Sequence, residues 1–164
     1  MKQAVKHTKL HCLFDIEHGN KFDLNKMEQC APTDEAIAFI GRSGDENGIV
    51  AFVKRNKTQP YDSGLITVAL GGSALSSFVQ PRPFYTAQNI DVLKPKTEMT
   101  LDMKLYYCLC IEANRFRYST YGREANRTLR YILVPKLECI PSWVDGMMAK
   151  AIGELSRDLT ATLG

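Results

Sequence analysis

The sequence predicts an α+β fold: a mixed, mostly hairpin-built β-sheet with one long helix and a C-terminal helix. Three observations predict it. Compact apolar runs at 36–40, 49–53 and 65–70 alternate with loops rich in Gly, Asp, Asn and Ser, as strands joined in hairpins do. After Pro95 the apolar spacing changes from runs to a helical period. After Trp143, residues Met147, Met148, Ile152, Leu155 and Leu159 again recur at helical spacing. A chain of 164 residues, 45% hydrophobic and 24% charged, is long enough for one substantial core and too apolar for disorder. It divides into a domain at 1–145 and a short helical tail at 146–164.

The elements follow in order. Leu10, Leu13 and Phe14 are spaced as on one turn of a helix, and Gly19-Asn20 reads as a turn. The runs at 36–40 and 49–53 flank residues 41–48, a loop with three glycines that is longer than a tight turn needs. Residues 54–64 form a polar connection, and 65–70 a third strand. Gly71-Gly72-Ser73-Ala74 turns the chain into a fourth strand at 75–80; small residues there let a backbone approach something closely. Residues 89–93 form a fifth strand, stopped by Pro95. Leu101, Leu105, Cys108, Leu109, Glu112 and Phe116 fall near one stripe of a helix that Thr100 is placed to cap. Residues 131–135 form a short strand ended by proline. The apolar stripe of the tail either packs back on the domain or faces a partner helix.

Charge is the least evenly spread property. Net charge is only +3, yet five of the nine arginines lie within 114–130, interleaved with Phe116, Tyr118 and Tyr121. The twelve lysines are scattered elsewhere. Arginine carries a planar fork that binds a phosphate, or guanine O6 and N7, through two hydrogen bonds. Clustered arginine with Tyr, Ser, Thr and Asn is a candidate nucleic-acid surface; the plain alternative is a solvated helix face with ion pairs.

The five cysteines form no Cys-x-x-Cys pair, and the odd number suits a reducing, cytoplasmic setting. The N-terminus lacks the apolar core of a signal peptide, and no apolar run is long enough to span a bilayer. His7, His11 and His18 suggest a metal site, but their segment breaks at Gly19 before a helix aligns them. Residues 41–48 lack the Gly-Lys-Ser/Thr ending of a nucleotide-binding loop. Asp91 with Asp102-Met103-Lys104 resembles the magnesium-binding pattern of many restriction nucleases. On a helix, however, Asp102 and Lys104 diverge. Methyltransferase tetrapeptides, Gly-x-Ser-x-Gly and His-Glu-x-x-His are missing. No cofactor, metal or catalytic group is implied.

One resemblance unites these segments. Gly41-Arg42-Ser43 with Asn47-Gly48-Ile49, residues 66–74, Pro83-Phe84-Tyr85-Thr86-Ala87 with 90–93, and Arg117-Tyr118-Ser119-Thr120-Tyr121-Gly122-Arg123 with 132–135 occur in an order similar to that of target recognition domains. Such domains make up the DNA specificity subunits of type I restriction–modification systems. The similarity runs from about Leu10 to Trp143. It implies a mixed α/β domain that reads part of a bipartite double-stranded DNA sequence; the missing catalytic motifs separately point to a chain without chemistry of its own. The implied partners are methyltransferase and endonuclease subunits.

A full subunit of that family carries two such domains and two long helices. A single domain with a short tail leaves three arrangements: a half-subunit that forms a homodimer, a separate module, or a truncated relative with another task. Within the resemblance, Arg123, Asn126 and Arg127 are expected to read bases, and Arg115, Arg117 and Lys57 to hold phosphates. Tyr118 and Tyr121 serve either DNA or the core. Arg42, Ser43, Asn47 and Ser73 complete the set. Two other classes stay open: a protein that binds or inhibits restriction–modification subunits, and a small nuclease using Asp91, Asp102 and Lys104.

Overall fold

The two most continuous apolar runs become inner strands of two stacked sheets. The computed structural model describes residues 4–118 and 125–163. Its strands are β1 (His7–Lys9), β2 (Phe14–His18), β3 (Ile37–Ile40), β4 (Ile49–Val53), β5 (Ile66–Ala69), β6 (Ser77–Val79), β7 (Phe84–Thr86), β8 (Ile90–Pro95) and β9 (Leu133–Pro135). Its helices are α1 (Leu101–Glu112) and α2 (Met147–Leu163). One sheet runs β2-β8-β5-β6, a second β4-β3-β7, and β1 pairs with β9. Every residue of β3 and of β5 is buried. Both of their faces are covered, which is why they read as unbroken apolar runs rather than alternations.

The expected hairpins β3–β4 and β5–β6 form as antiparallel pairs. The other pairings are distant in sequence: β2 with β8, β1 with β9, and the parallel pair β3–β7. The start of the chain departs from the expected helical turn. Leu10–Cys12 is a short 3-10 turn, and Phe14–His18 is a strand whose partner lies beyond residue 90.

Packing is layered. Ile66 and Val68 point to one side of β5, into a core with Leu10, Phe14, Leu93, Tyr107 and Ile111. Ala69 points to the other side, joining Ala38, Ile40, Phe84, Ile90 and Val92 between the sheets. Ile37, Phe39, Val53 and Tyr85 form a third cluster, with Phe22, Leu24 and Met27 packed against it.

Thr100 caps α1 as expected, its Oγ1 accepting from Met103 N at 3.2 Å. The buried face of α1 shares only Cys108 with the expected stripe: Tyr107 and Ile111 are buried beside it, while Leu101, Leu109 and Phe116 are exposed. Apolar residues surround this helix, so several stripes fit the pattern. The core selects Tyr107, which packs edge-on to Phe14 and donates to Pro135 O at 2.9 Å. The helix stops at Glu112, with the Asn114 side chain donating to Cys110 O. Arg115 is therefore not on the helix but opens a separate 3-10 turn, Arg115–Tyr118.

α2 follows Gly146, and its first amides are held by α1: Asp102 accepts from Gly146 N at 3.0 Å and Met148 N at 3.1 Å. No residue of α2 is buried, so Ile152, Leu155 and Leu159 do not pack back on the domain. Among the described residues no helix is long and apolar enough to cross a membrane.

Candidate nucleic-acid interface

Strand directions bring most of the candidate loops to one end of the molecule. β3 and β7 are parallel, with Ile40 beside Thr86, so both run out there. β5 runs out and β8 begins there, with Ala69 beside Ile90. β2 ends there, His18 opposite Asp91. Residues 19–21, 41–48, 70–76 and 87–89 thus emerge side by side. The two sheets are joined across this end: Ser73 N donates to Arg42 O at 3.2 Å, and Thr86 N to Asn20 Oδ1 at 3.0 Å.

These loops carry every described non-glycine residue with positive φ: Lys21, Glu46, Asn47, Leu75 and Asn89. Such backbone is sparsely populated and persists only where its surroundings fix it, most often at functional sites. Here the surroundings are visible. Gly41 N donates to Gly48 O and Gly48 N to Asp45 O. The fully buried Gln80 donates through Nε2 to Asn47 O at 2.9 Å and to Thr67 Oγ1 at 2.8 Å, tying the loop to β5. Gly72 has φ +65°, and a Cβ there would lie 3.1 Å from Arg42 O. Only glycine lets the two loops approach so closely.

The arginine segment docks on the same loops. The Arg115 guanidinium donates to Ala74 O at 3.0 Å and Ser76 Oγ at 3.1 Å. Glu112, 3.9 Å from that guanidinium, accepts from Ser77 N. Tyr118 OH meets Thr128 Oγ1 at 2.6 Å, and Ala125 N donates to Leu70 O at 2.8 Å. Ala125 and Leu129 are buried in the main core, which anchors the segment. A cleft of ≈ 720 Å³ lies between, lined by Gly44, Asp45, Ser73, Ser76, Arg115 and Tyr118 among others.

Arg42, Ser43, Asn47, Ser73, Arg115 and Tyr118 are thus brought together. Arg117, over the Phe116 ring at 5.5 Å, and the exposed Arg127 lie on the same segment. Asn126 lines a neighbouring recess with His18, Asp91 and Arg130. Tyr121 and Arg123 lie outside the described residues. Lys57 stands apart: it follows the far end of β4, in a turn held by Tyr85 OH, which accepts from Asn56 N and donates to Thr58 O.

The nuclease triplet does not converge. Asp91 pairs with His18 at 2.6 Å, Asp102 caps α2, and Lys104 donates to Gly64 O at 2.8 Å. The histidines are likewise apart in role, His11 packing edge-on against Tyr131. Burial pushes the Asp91 carboxyl above its usual range, and His18 first, then Arg130 and Lys21, draw it back. Lys21, His18 and Gln80 were missing from the residues expected at this end, and Arg130 was named only as part of the arginine stretch. Gly19-Asn20 did signal a turn, but nothing local to it announces the β2–β8 register.

The model of the type I restriction modification DNA specificity domain family matches residues 4–129. The specificity subunit S.BcgI of a type II restriction enzyme from Heyndrickxia coagulans is 27% identical over 134 residues, 80% of this chain and 38% of that protein. The type I restriction–modification S subunit of M. genitalium has the same fold, with a TM-score of 0.60 at 14% identity over 96% of this chain and 40% of that one. The HsdS subunit of Thermoanaerobacter tengcongensis gives 0.54 at 15% identity over 93% of this chain and 39% of that one. The chain therefore spans about two-fifths of the length of these relatives. With the family matched over most of its length, this chain belongs to the type I restriction–modification DNA specificity domain family.

Proposed function

We propose that this chain recognises a double-stranded DNA sequence through the loop end of its two sheets, and directs methyltransferase and endonuclease subunits to it. The observation that carries this reading is the junction of two unlike surfaces. Backbone-braced loops with left-handed residues meet a segment carrying Arg115, Arg117, Arg127 and Arg130. Fixed loops read base edges, and arginine holds phosphates or guanine. The chain does no chemistry itself; Asp91, Asp102 and Lys104 each have a structural role. Residues 146–164 form a separate partner-binding segment, its open stripe of Ile152, Leu155 and Leu159 suited to a second copy or a methyltransferase subunit. The five unpaired cysteines suit a cytoplasmic protein.

Selection from a randomised duplex pool tests the reading. A single enriched sequence is expected, with affinity falling about 10³-fold or more between roughly 50 and 200 mM salt if six or more phosphates are held. No enrichment, or a flat salt response, overturns it. Pure protein with Mg²⁺ and S-adenosylmethionine is expected to leave DNA uncut and unmethylated. Cleavage abolished by Asp102→Ala overturns the non-catalytic part.

A further inference from the structure

We propose that His18 is a DNA-phosphate contact gated by pH, with the buried Asp91 as its positioning residue. The proposal rests on the reading of the loop end as a DNA interface. The β2–β8 register sets His18 opposite Asp91, and Nδ1 lies 2.6 Å from Oδ1. The Asp91 side chain is 4% exposed and that of His18 57%. A buried carboxylate facing an exposed imidazole fixes the ring: Nδ1–H donates to Asp91, and Nε2 is the nitrogen left for a ligand.

The surroundings give that nitrogen a use. His18, Glu17, Asp91, Asn126 and Arg130 line a recess of ≈ 280 Å³ where β2 meets the arginine segment. Lys21, in the left-handed turn after β2, acts on Asp91 from the same end, as does Arg130. The charged groups facing His18 are therefore Asp91 of β8, Arg130 of the arginine segment and Lys21 of the turn, while Glu17, one residue away on the strand, points to the opposite face and meets Tyr61. One acid stands against two bases. The proton on His18 adds one further positive charge to this corner. When protonated, Nε2–H offers a phosphate a charge-assisted hydrogen bond; when neutral, Nε2 is an acceptor and repels it.

The test measures duplex-DNA affinity against salt at about pH 5.5 and about pH 8. For the full chain, the slope of log affinity against log salt is expected to be steeper by about one at the lower pH. His18→Ala should remove that difference, and His18→Lys should keep the steeper slope at both pH values. Asp91→Asn should shrink the difference, since the protonated ring loses its partner. His11→Ala should leave it unchanged. A pH-dependent slope that survives in His18→Ala, or His18→Lys behaving like His18→Ala, overturns the proposal. No duplex binding by the unaltered chain at either pH overturns the interface reading itself, an outcome distinct from binding without pH dependence. The His18 variants alter an exposed side chain, so the test stands even if Asp91→Asn fails to fold.

Discussion

Residues 41–48 with 71–76, and residues 115–118 with 125–130, share one end of the molecule but are held there by different means. The first pair is braced by its backbone. Gly41, Gly48 and Ser73 all donate main-chain hydrogen bonds within it, and Gln80 adds a buried side-chain strut. Its charges are few: Arg42 against Asp45 and Glu46. The second pair carries Arg115, Arg117, Arg127 and Arg130 with no acid. It is held at a few points, chiefly Ala125 on Leu70, Arg115 on Ala74 and Ser76, and Tyr118 on Thr128. Shape and charge at this end thus come from separate pieces of chain. In the proposed reading of this end as a DNA interface, a surface built this way changes the sequence it reads without losing its grip on the backbone, and the reverse.

The variants of this division rank by their cost to the fold. Gly72→Val has the largest expected effect. It forces a β-branched residue to φ +65° and presses its Cβ on Arg42 O, a backbone atom that cannot swing aside. The loss of stability is expected to be about 2–4 kcal/mol, read from urea unfolding. An unfolding midpoint within error of the unaltered chain means the loops are not braced against each other.

Gln80→Leu comes next. It removes the buried donor from Thr67 Oγ1 and from the partly buried Asn47 O. A cost of about 1–3 kcal/mol is expected, because the buried Thr67 acceptor loses its partner. DNA selection should show a relaxed sequence preference with an unchanged salt slope. A changed slope with preference intact contradicts the assignment of shape to this half.

Arg115→Ala tests the link between the halves. Its guanidinium is half exposed, so loss of its contacts to Ala74 O and Ser76 Oγ should cost only about 1 kcal/mol. Affinity for all sequences should fall about equally, and the salt slope by roughly one. Unchanged DNA binding confines Arg115 to holding the 71–76 turn.

The legible part of this molecule was local. β3–β4 and β5–β6 are neighbours in sequence, and the loops between them carry their own turn residues, so runs and glycines sufficed. β1 and β9 are three residues each and pair His7 with Pro135, a contact no window of sequence contains. The same distance hid the β2–β8 register and with it the His18–Asp91 pair. The two helices were legible to different degrees. α1 is apolar all round, so its pattern named Leu101 and Leu109 where the core took Tyr107 and Ile111. α2 has a clear stripe that names a face but not what covers it. At the candidate site, arginine clustering marked a segment that the fold brings to the loop end, and the resemblance added the two glycine loops. Lys57 was grouped with them by charge alone, and charge carries no address in the fold.

Arg127→Ala has the smallest expected effect on the fold and the most to say about function. The side chain is exposed and follows the buried anchor Ala125 by two residues, so unfolding should move by no more than about 0.5 kcal/mol. Any loss of DNA affinity then belongs to the contact itself. Arginine pairs with guanine through two hydrogen bonds, and losing that pair should cost about 1–3 kcal/mol on the preferred site and relax preference at one base pair. The outcome is read by profiling the variant on a library of single-base changes. If affinity drops uniformly, with the preference intact and the salt slope lower by about one, Arg127 holds a phosphate. The described arginines of residues 115–130 would then all belong to grip, and selectivity would pass to the half that Gly72 and Gln80 brace, where Arg42, Ser43, Asn47 and Ser73 are the side chains to vary next.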